Sequence, residues 1–168
     1  MVIMGIDPGT AITGYGVIVE EAGGRLTHVA HGCITTDSKA ALHERLLKIH
    51  TGISSAIDVY KPDIVSVELL FFNRNVTNAL SVGHARGVTL LAAALKGLRV
   101  TEFTPLQVKQ AVAGYGRADK QQVQSMVRAL LCLEAIPEPD DAADALALAI
   151  CCAHHAKMSS VLEQGAMR

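Results

Sequence analysis

Apolar and polar positions along this chain switch between a strand-like and a helix-like period, and the switches mark out ten elements. Val2, Ile3, Met4 and Ile6 form a short apolar run interrupted only by Gly5, the pattern of a strand buried on both faces. Asp7-Pro8-Gly9-Thr10 then ends it in turn residues. Thr13 to Glu20 (TGYGVIVE) and Leu26 to Thr35 (LTHVAHGCIT) read as two further strands, joined through the hairpin-type connection Glu21-Ala22-Gly23-Gly24. From Lys39 to Tyr60 the period lengthens: Leu42, Leu46, Ile49, Ile53 and Ile57 recur at helical spacing, and Lys61-Pro62-Asp63 stops the helix. Ile64 to Leu69 (IVSVEL) is a buried strand again, Val76 to Lys96 a helix, and Leu98 to Phe103 a short strand. Pro105 stands at the first turn of a helix that breaks at Gly114-Tyr115-Gly116. Asp119 to Leu131 is the next helix, and Pro137-Glu138-Pro139 separates it from a last one spanning about Asp140 to His155.

Three strands, a crossover helix, a strand, a helix, a strand and then helices predict an α/β layer built on a mixed five-stranded sheet. Its first three strands should be antiparallel and the later ones parallel through right-handed crossovers. The functional crevice of such a sheet lies at the carboxyl ends of its parallel strands. Asp7 and Glu68 both fall there, each an acid at the end of an apolar strand. A carboxylate in that setting costs free energy unless a cation, a metal or backbone donors compensate it.

The last helix adds two more acids. Asp141 and Asp144 are three apart and share a face, so both can point at one spot. Singly, each acid has an ordinary role available: Asp7 opens an Asp-Pro-Gly turn, Asp140 caps a helix, and Asp141 sits in a first turn favoured by the helix dipole. Those roles leave Asp144, set in an alanine and leucine run, and Glu68, after IVSV, without an account. Four acids meeting at two strand ends and one helix start would repel one another. Mg²⁺ or Mn²⁺, hard cations that take oxygen ligands, would neutralise them. Two such ions about 4 Å apart suit phosphodiester hydrolysis.

Charge supports a polyanionic partner once the chain is divided. Residues 70–130 hold eight Lys and Arg against two acids, +6, whereas the remainder holds seven against fourteen, −7; together they return the net −1. A basic middle in an acidic chain predicts a polyanion-binding face. The rest of the composition sets bounds. With 168 residues, 50% of them hydrophobic, the chain predicts one compact domain over 1–156 and a loosely ordered tail over 157–168. No apolar run has the length of a membrane span, no signal peptide opens the chain, and Cys33, Cys132, Cys151 and Cys152 follow no disulfide or CxxC pattern. A soluble cytoplasmic protein with reduced thiols is expected. Cys151, Cys152, His154 and His155 have the composition of a zinc cluster, but residues so close together on one helix do not converge. Gly83 and Gly87, four apart in a helix, are costly relative to alanine and predict close approach of another backbone, either a packed neighbour or a dimer partner.

Five ordered segments, IDPGTAITGYGV, VELLFFNRN, GHARGV, LQVKQAVAGYGRADKQQVQ and DDAADALALAI, closely resemble the RuvC family of Holliday-junction resolvases over nearly the whole chain to about residue 155. The resemblance implies an RNase H-like fold, a homodimer and Mg²⁺-dependent nicking of two like-polarity strands at a four-way DNA junction. It also implies cooperation with the RuvA and RuvB branch-migration proteins. By position, Asp7, Glu68, Asp141 and Asp144 match the family's metal-binding acids. Lys109 and Lys120 match its basic residues near the active site, and Phe71 an aromatic that contacts bases at the opened crossover. Phe72, Arg74, Asn75, Arg86 and Arg117 complete the candidate DNA contacts, with Arg86 equally placed for a dimer seam. His84 stands where the family usually carries Gln. Three rival readings remain: a YqgF-type nuclease of the same fold, an actin-like or Hsp70-like ATPase, for which the chain is too short, and a junction-binding module that does not cleave.

Overall fold

The computed structural model describes the backbone of residues 1–69 and 76–166, and side chains over 1–69 and 80–156. The elements are β1 (Val2–Asp7), β2 (Ile12–Glu20), β3 (Leu26–Thr35), α1 (Leu42–Tyr60), β4 (Ile64–Glu68), α2 (Val76–Leu95), β5 (Arg99–Phe103), α3 (Pro105–Ala113), α4 (Lys120–Leu130) and α5 (Asp140–Ala166). The sheet has the order β3-β2-β1-β4-β5, with β1, β2 and β3 antiparallel and β1, β4 and β5 parallel, as the pattern predicts.

Two boundaries differ from expectation by more than one residue. Helix α1 begins at Leu42 rather than Lys39, because Asp37 folds the preceding residues into a turn: its Oδ1 accepts from the Lys39 N–H at 2.9 Å and its carbonyl from the Ala40 N–H. Helix α5 runs on to Ala166, past the predicted stop at His155. Nothing in AKMSSVLEQ is a proline or glycine, so the backbone meets no residue that must end a helix before Gly165. The other helices start and stop where their chemistry directs. Thr104 caps α3 in a reciprocal pair with Gln107, Asp119 caps α4 in the same way with Gln122, and Gly114 closes α3 at φ 82°.

Strand parity divides the core into two layers. Met4, Ile6, Val65 and Val67 point to one face and pack with Ile49, Ile53 and Ile57 of α1 and with Ala85 and Ala92 of α2. Ile3 and Ile64 point to the other, where Leu146 and Ile150 of α5, Val108 of α3 and Val127 of α4 cover them. Helix α5 crosses this second face in near backbone contact. A Cβ added at Gly14 of β2 would overlap the Asp141 carbonyl, and one at Gly5 of β1 the Ala145 carbonyl. On β4 the Ser66 hydroxyl donates to the Leu148 carbonyl at 3.0 Å. The helix therefore passes diagonally from β2 over β1 to β4, sunk into the sheet because residues without side chains lie beneath it. Among the described residues no helix is long and apolar enough to cross a membrane.

Candidate active site

The same parity brings two acids to the α5 face. Ile3, Gly5 and Asp7 alternate onto it along β1, and Ile64, Ser66 and Glu68 along β4. Since Ile6 pairs with Val67, the next residues, Asp7 and Glu68, stand side by side at the carboxyl ends of two parallel strands. Helix α5, seated by the Gly14 and Gly5 contacts, then supplies Asp144 to the cleft, while Asp141 lies outside its lining and borders a neighbouring surface pocket with Glu138, Pro139 and Asp140. Strand β5 leads through Thr104 into α3, which carries Lys109, and the first residue of α4 is Lys120. Asp7, Glu68, Lys109, Lys120 and Asp144 line one cleft of about 280 Å³, floored by Val108, Ala147 and Leu148.

The turn after β1 is held from inside the protein. The Thr13 hydroxyl donates to the Gly9 carbonyl, the Thr10 hydroxyl meets Ser81 of α2 at 2.6 Å, and Thr36 donates to the Thr10 carbonyl. Those bonds occupy the turn's polar groups and leave Asp7 as the group aimed at the cleft.

The acids are close enough to disturb one another. Burial, then the charges of Asp144, Glu68 and Asp141, raise the Asp7 carboxyl from 3.8 to about 7, with Lys120 acting weakly the other way. Burial and Asp144 raise Glu68. Burial raises Asp144, opposed by Lys120. Three neighbouring carboxyls that hold protons more tightly than usual mark a place short of positive charge. Among the described residues, no group of three or more His, Cys, Asp or Glu side chains stands in ready ligating geometry. The Lys120 ammonium stands at the edge of the group, 3.3 Å from Asp144 Oδ2 and 2.9 Å from Asp140 Oδ2. The donor set, carboxylate oxygens with a deficit of cation, fits a hard divalent ion and not a soft one.

The remaining candidates divide. Arg117 is exposed in the link between α3 and α4. Arg86 is turned into the protein: its guanidinium pairs with Glu102 of β5, and its Nε donates to the Glu68 carbonyl at 3.4 Å. Lys96, also in the basic middle of the chain, pairs with Asp58 at 2.6 Å. Phe71, Phe72, Arg74 and Asn75 lie outside the described residues. His154 Nδ1 meets the Ala111 carbonyl and Cys152 Sγ meets the Thr101 hydroxyl, contacts that tie the end of α5 into its layer.

Reading by residue type missed two partners. Glu102 and Gln124 each fix a charged side chain of the site region, Arg86 and Asp140 respectively. A charged residue on a short strand and a glutamine on an amphipathic helix carry no signal of that kind.

Residues 3–152 match the family model described as Crossover junction endodeoxyribonuclease RuvC. A protein of that name from Heliobacterium modesticaldum is 63% identical over 154 residues, covering 92% of this chain and 94% of the relative. Another, from Rubrobacter xylanophilus, is 57% identical over 167 residues, 99% of this chain and 93% of the relative. Among solved structures, Thermus thermophilus RuvC superposes with a TM-score of 0.88 at 38% identity, covering 95% of this chain and 97% of that one. The same protein in complex with a Holliday junction substrate superposes equally well, at 39% identity over 95% and 96% of the two chains. The yeast mitochondrial resolvase Ydc2, 11% identical with a TM-score of 0.63, shares the fold.

Proposed function

The chain belongs to the RuvC family of crossover junction endodeoxyribonucleases, and from that premise we propose that Asp7, Glu68, Asp141 and Asp144 are its catalytic acids and hold Mg²⁺. Its fold is RNase H-like, and it is a metal-dependent nuclease of recombination and repair that resolves Holliday junctions. The observation that supports the site assignment is the meeting of Asp7, Glu68 and Asp144 in one cleft, where burial and then the neighbouring acids raise the Asp7 carboxyl to about 7.

Two Mg²⁺ ions, with Mn²⁺ as a substitute, supply the activation of the attacking water and the stabilisation of the leaving oxygen when bound. The side chains do the rest. Glu68 and Asp7 project from adjacent strand ends, so their separation is fixed by sheet geometry rather than by rotamer choice. Lys109 and Lys120 flank the cleft and neutralise charge that builds on the scissile phosphate. Val108 and Leu148 wall the cleft with apolar surface, which strengthens every charge interaction within it. Phe71 and Phe72 are assigned to stacking on unpaired bases, and Arg74, Asn75 and Arg117 to phosphate. Arg86 has the weaker claim to DNA, because Glu102 and the Glu68 carbonyl already hold it.

A four-way junction has two-fold symmetry, so paired nicks of like polarity need two copies of this site related by the same symmetry. Helix α2 supports a homodimer: Leu80, Leu91 and Leu95 are exposed on it, and among the described residues nothing lies within 4 Å of a Cβ added at Gly83 or Gly87. RuvA and RuvB are the proposed partners in branch migration, and the cytoplasm the place of action.

The test is cleavage of a synthetic four-way junction in Mg²⁺, with linear duplex as control. Symmetric, ligatable nicks are expected from the native protein and none from Asp7→Asn, while junction binding stays nearly intact. Undiminished cleavage by that variant would remove the metal-site assignment.

A further inference from the structure

Asp140 stands one residue before the proposed ligand pair and is not among the residues lining the cleft, yet both its oxygens are engaged. Oδ2 accepts from Lys120 Nζ at 2.9 Å, and Oδ1 accepts from Gln124 Nε2 at 2.9 Å. Gln124 lies four residues after Lys120 on the same face of α4 and is only 8% exposed, so its amide is set by packing. Asp144, four residues after Asp140 on α5, reaches the same ammonium at 3.3 Å. The side chains of Lys120 and Asp140 are 52% and 61% exposed, and an ion pair so open to water adds little to stability. What the arrangement does supply is a location. A lysine head on a four-carbon stem is otherwise free to sweep the mouth of the cleft.

We propose that Asp140, oriented by Gln124, is a positioning residue for the cleavage reaction: it anchors the Lys120 ammonium at the rim of the cleft and keeps it from settling on Asp144. This rests on the reading above, in which Asp144 is given to the metal and Lys120 to the scissile phosphate. When a cation draws Asp144 away, Asp140 is the anion that still holds the lysine. In its absence the ammonium has one acidic partner left beside it, Asp144, and stabilises the arrangement that competes with metal.

The experiment is a double-mutant cycle on the full-length protein with a synthetic four-way junction in Mg²⁺, read as the single-turnover rate at saturating junction. Asp140→Asn keeps the size and the reach to Gln124 but removes the charge, and Asp140→Ala removes both. Each is expected to slow the step roughly tenfold, against roughly a hundredfold for Lys120→Ala. The double variant should be no slower than Lys120→Ala alone, because both substitutions remove one effect. Junction affinity and the thermal midpoint should hold, and Mn²⁺ binding, followed by electron paramagnetic resonance, should weaken in Asp140→Asn and recover when Lys120→Ala is added.

A native rate in both Asp140 variants overturns the proposal, as does a double variant whose loss is the product of the single losses. Weakened Mn²⁺ binding that Lys120→Ala does not restore would make Asp140 a ligand and overturn the proposal. A native rate in Lys120→Ala would sink the parent reading of that lysine, an outcome distinct from failure at Asp140.

Discussion

Two sets of glycines in this protein have opposite surroundings. Gly5 and Gly14 lie in β1 and β2 directly beneath α5, where an added Cβ would overlap the carbonyls of Ala145 and Asp141. Gly83 and Gly87 lie on α2, where it would meet nothing within 4 Å among the described residues. Both kinds of position lack a side chain so that a second backbone can come close. In the sheet that backbone is the chain's own last helix. On α2 the described residues supply none, and the proposed seam for a second copy rests on that contrast. The sheet glycines also do more than pack: Gly14 seats the start of the helix that bears Asp141 and Asp144, so close packing there sets the position of the site.

Substitutions that exploit this contrast should differ in size and sign. Gly14→Val has the largest expected effect, since the helix backbone cannot retreat without lifting Leu146 and Ile150 from the core. A loss of more than about 3 kcal/mol is expected in chemical denaturation, and any folded fraction should fail to cleave junctions. Retention of native stability would show that α5 is not held by that contact.

Next in size is the electrostatic cost carried by the seated acids. A carboxyl raised from 3.8 to about 7 binds its proton more tightly folded than unfolded. Its contribution to stability is therefore fully present below pH 3.8 and is lost as the pH climbs through about 7, leaving the metal-free protein weaker at pH 8 than at pH 5. Asp7→Asn removes that cost. In the presence of a chelator it should stabilise the protein at pH 8 by on the order of 2 kcal/mol, with a much smaller gain at pH 4. Mg²⁺ should close the gap by stabilising only the native chain. An equal gain at both pH values would mean that Asp7 is not charge-strained.

The smallest change in the fold is expected on α2. Gly83→Ala and Gly87→Ala meet open space among the described residues and replace a poor helix former with the best, so each should raise monomer stability by about 0.5–1 kcal/mol. Sedimentation velocity should nevertheless shift the population from dimer toward monomer, and paired nicking should give way to single nicks. Unchanged association would move the seam elsewhere.

Much of this architecture is legible in the chain itself. Apolar runs and turn residues place every strand and nearly every helix, because periods of two and 3.6 follow from backbone geometry alone. The apolar runs VIMGID and IVSVE put Asp7 and Glu68 at strand ends, but that the two share a face follows only from the register that pairs Ile6 with Val67. Spacing does not reveal distance across the fold. That α5 runs directly over Gly14 and Gly5, that Arg86 turns inward to Glu102, and that Gln124 orients Asp140 toward Lys120 depend on contacts between residues 16 to 140 positions apart. Local pattern is set by each residue's neighbours in sequence, whereas these contacts exist only after the layers have packed. The chain offers the acids as candidates, but the burial and crowding that raise the Asp7 carboxyl, and the place of Lys120 between Asp140 and Asp144, come from tertiary structure alone.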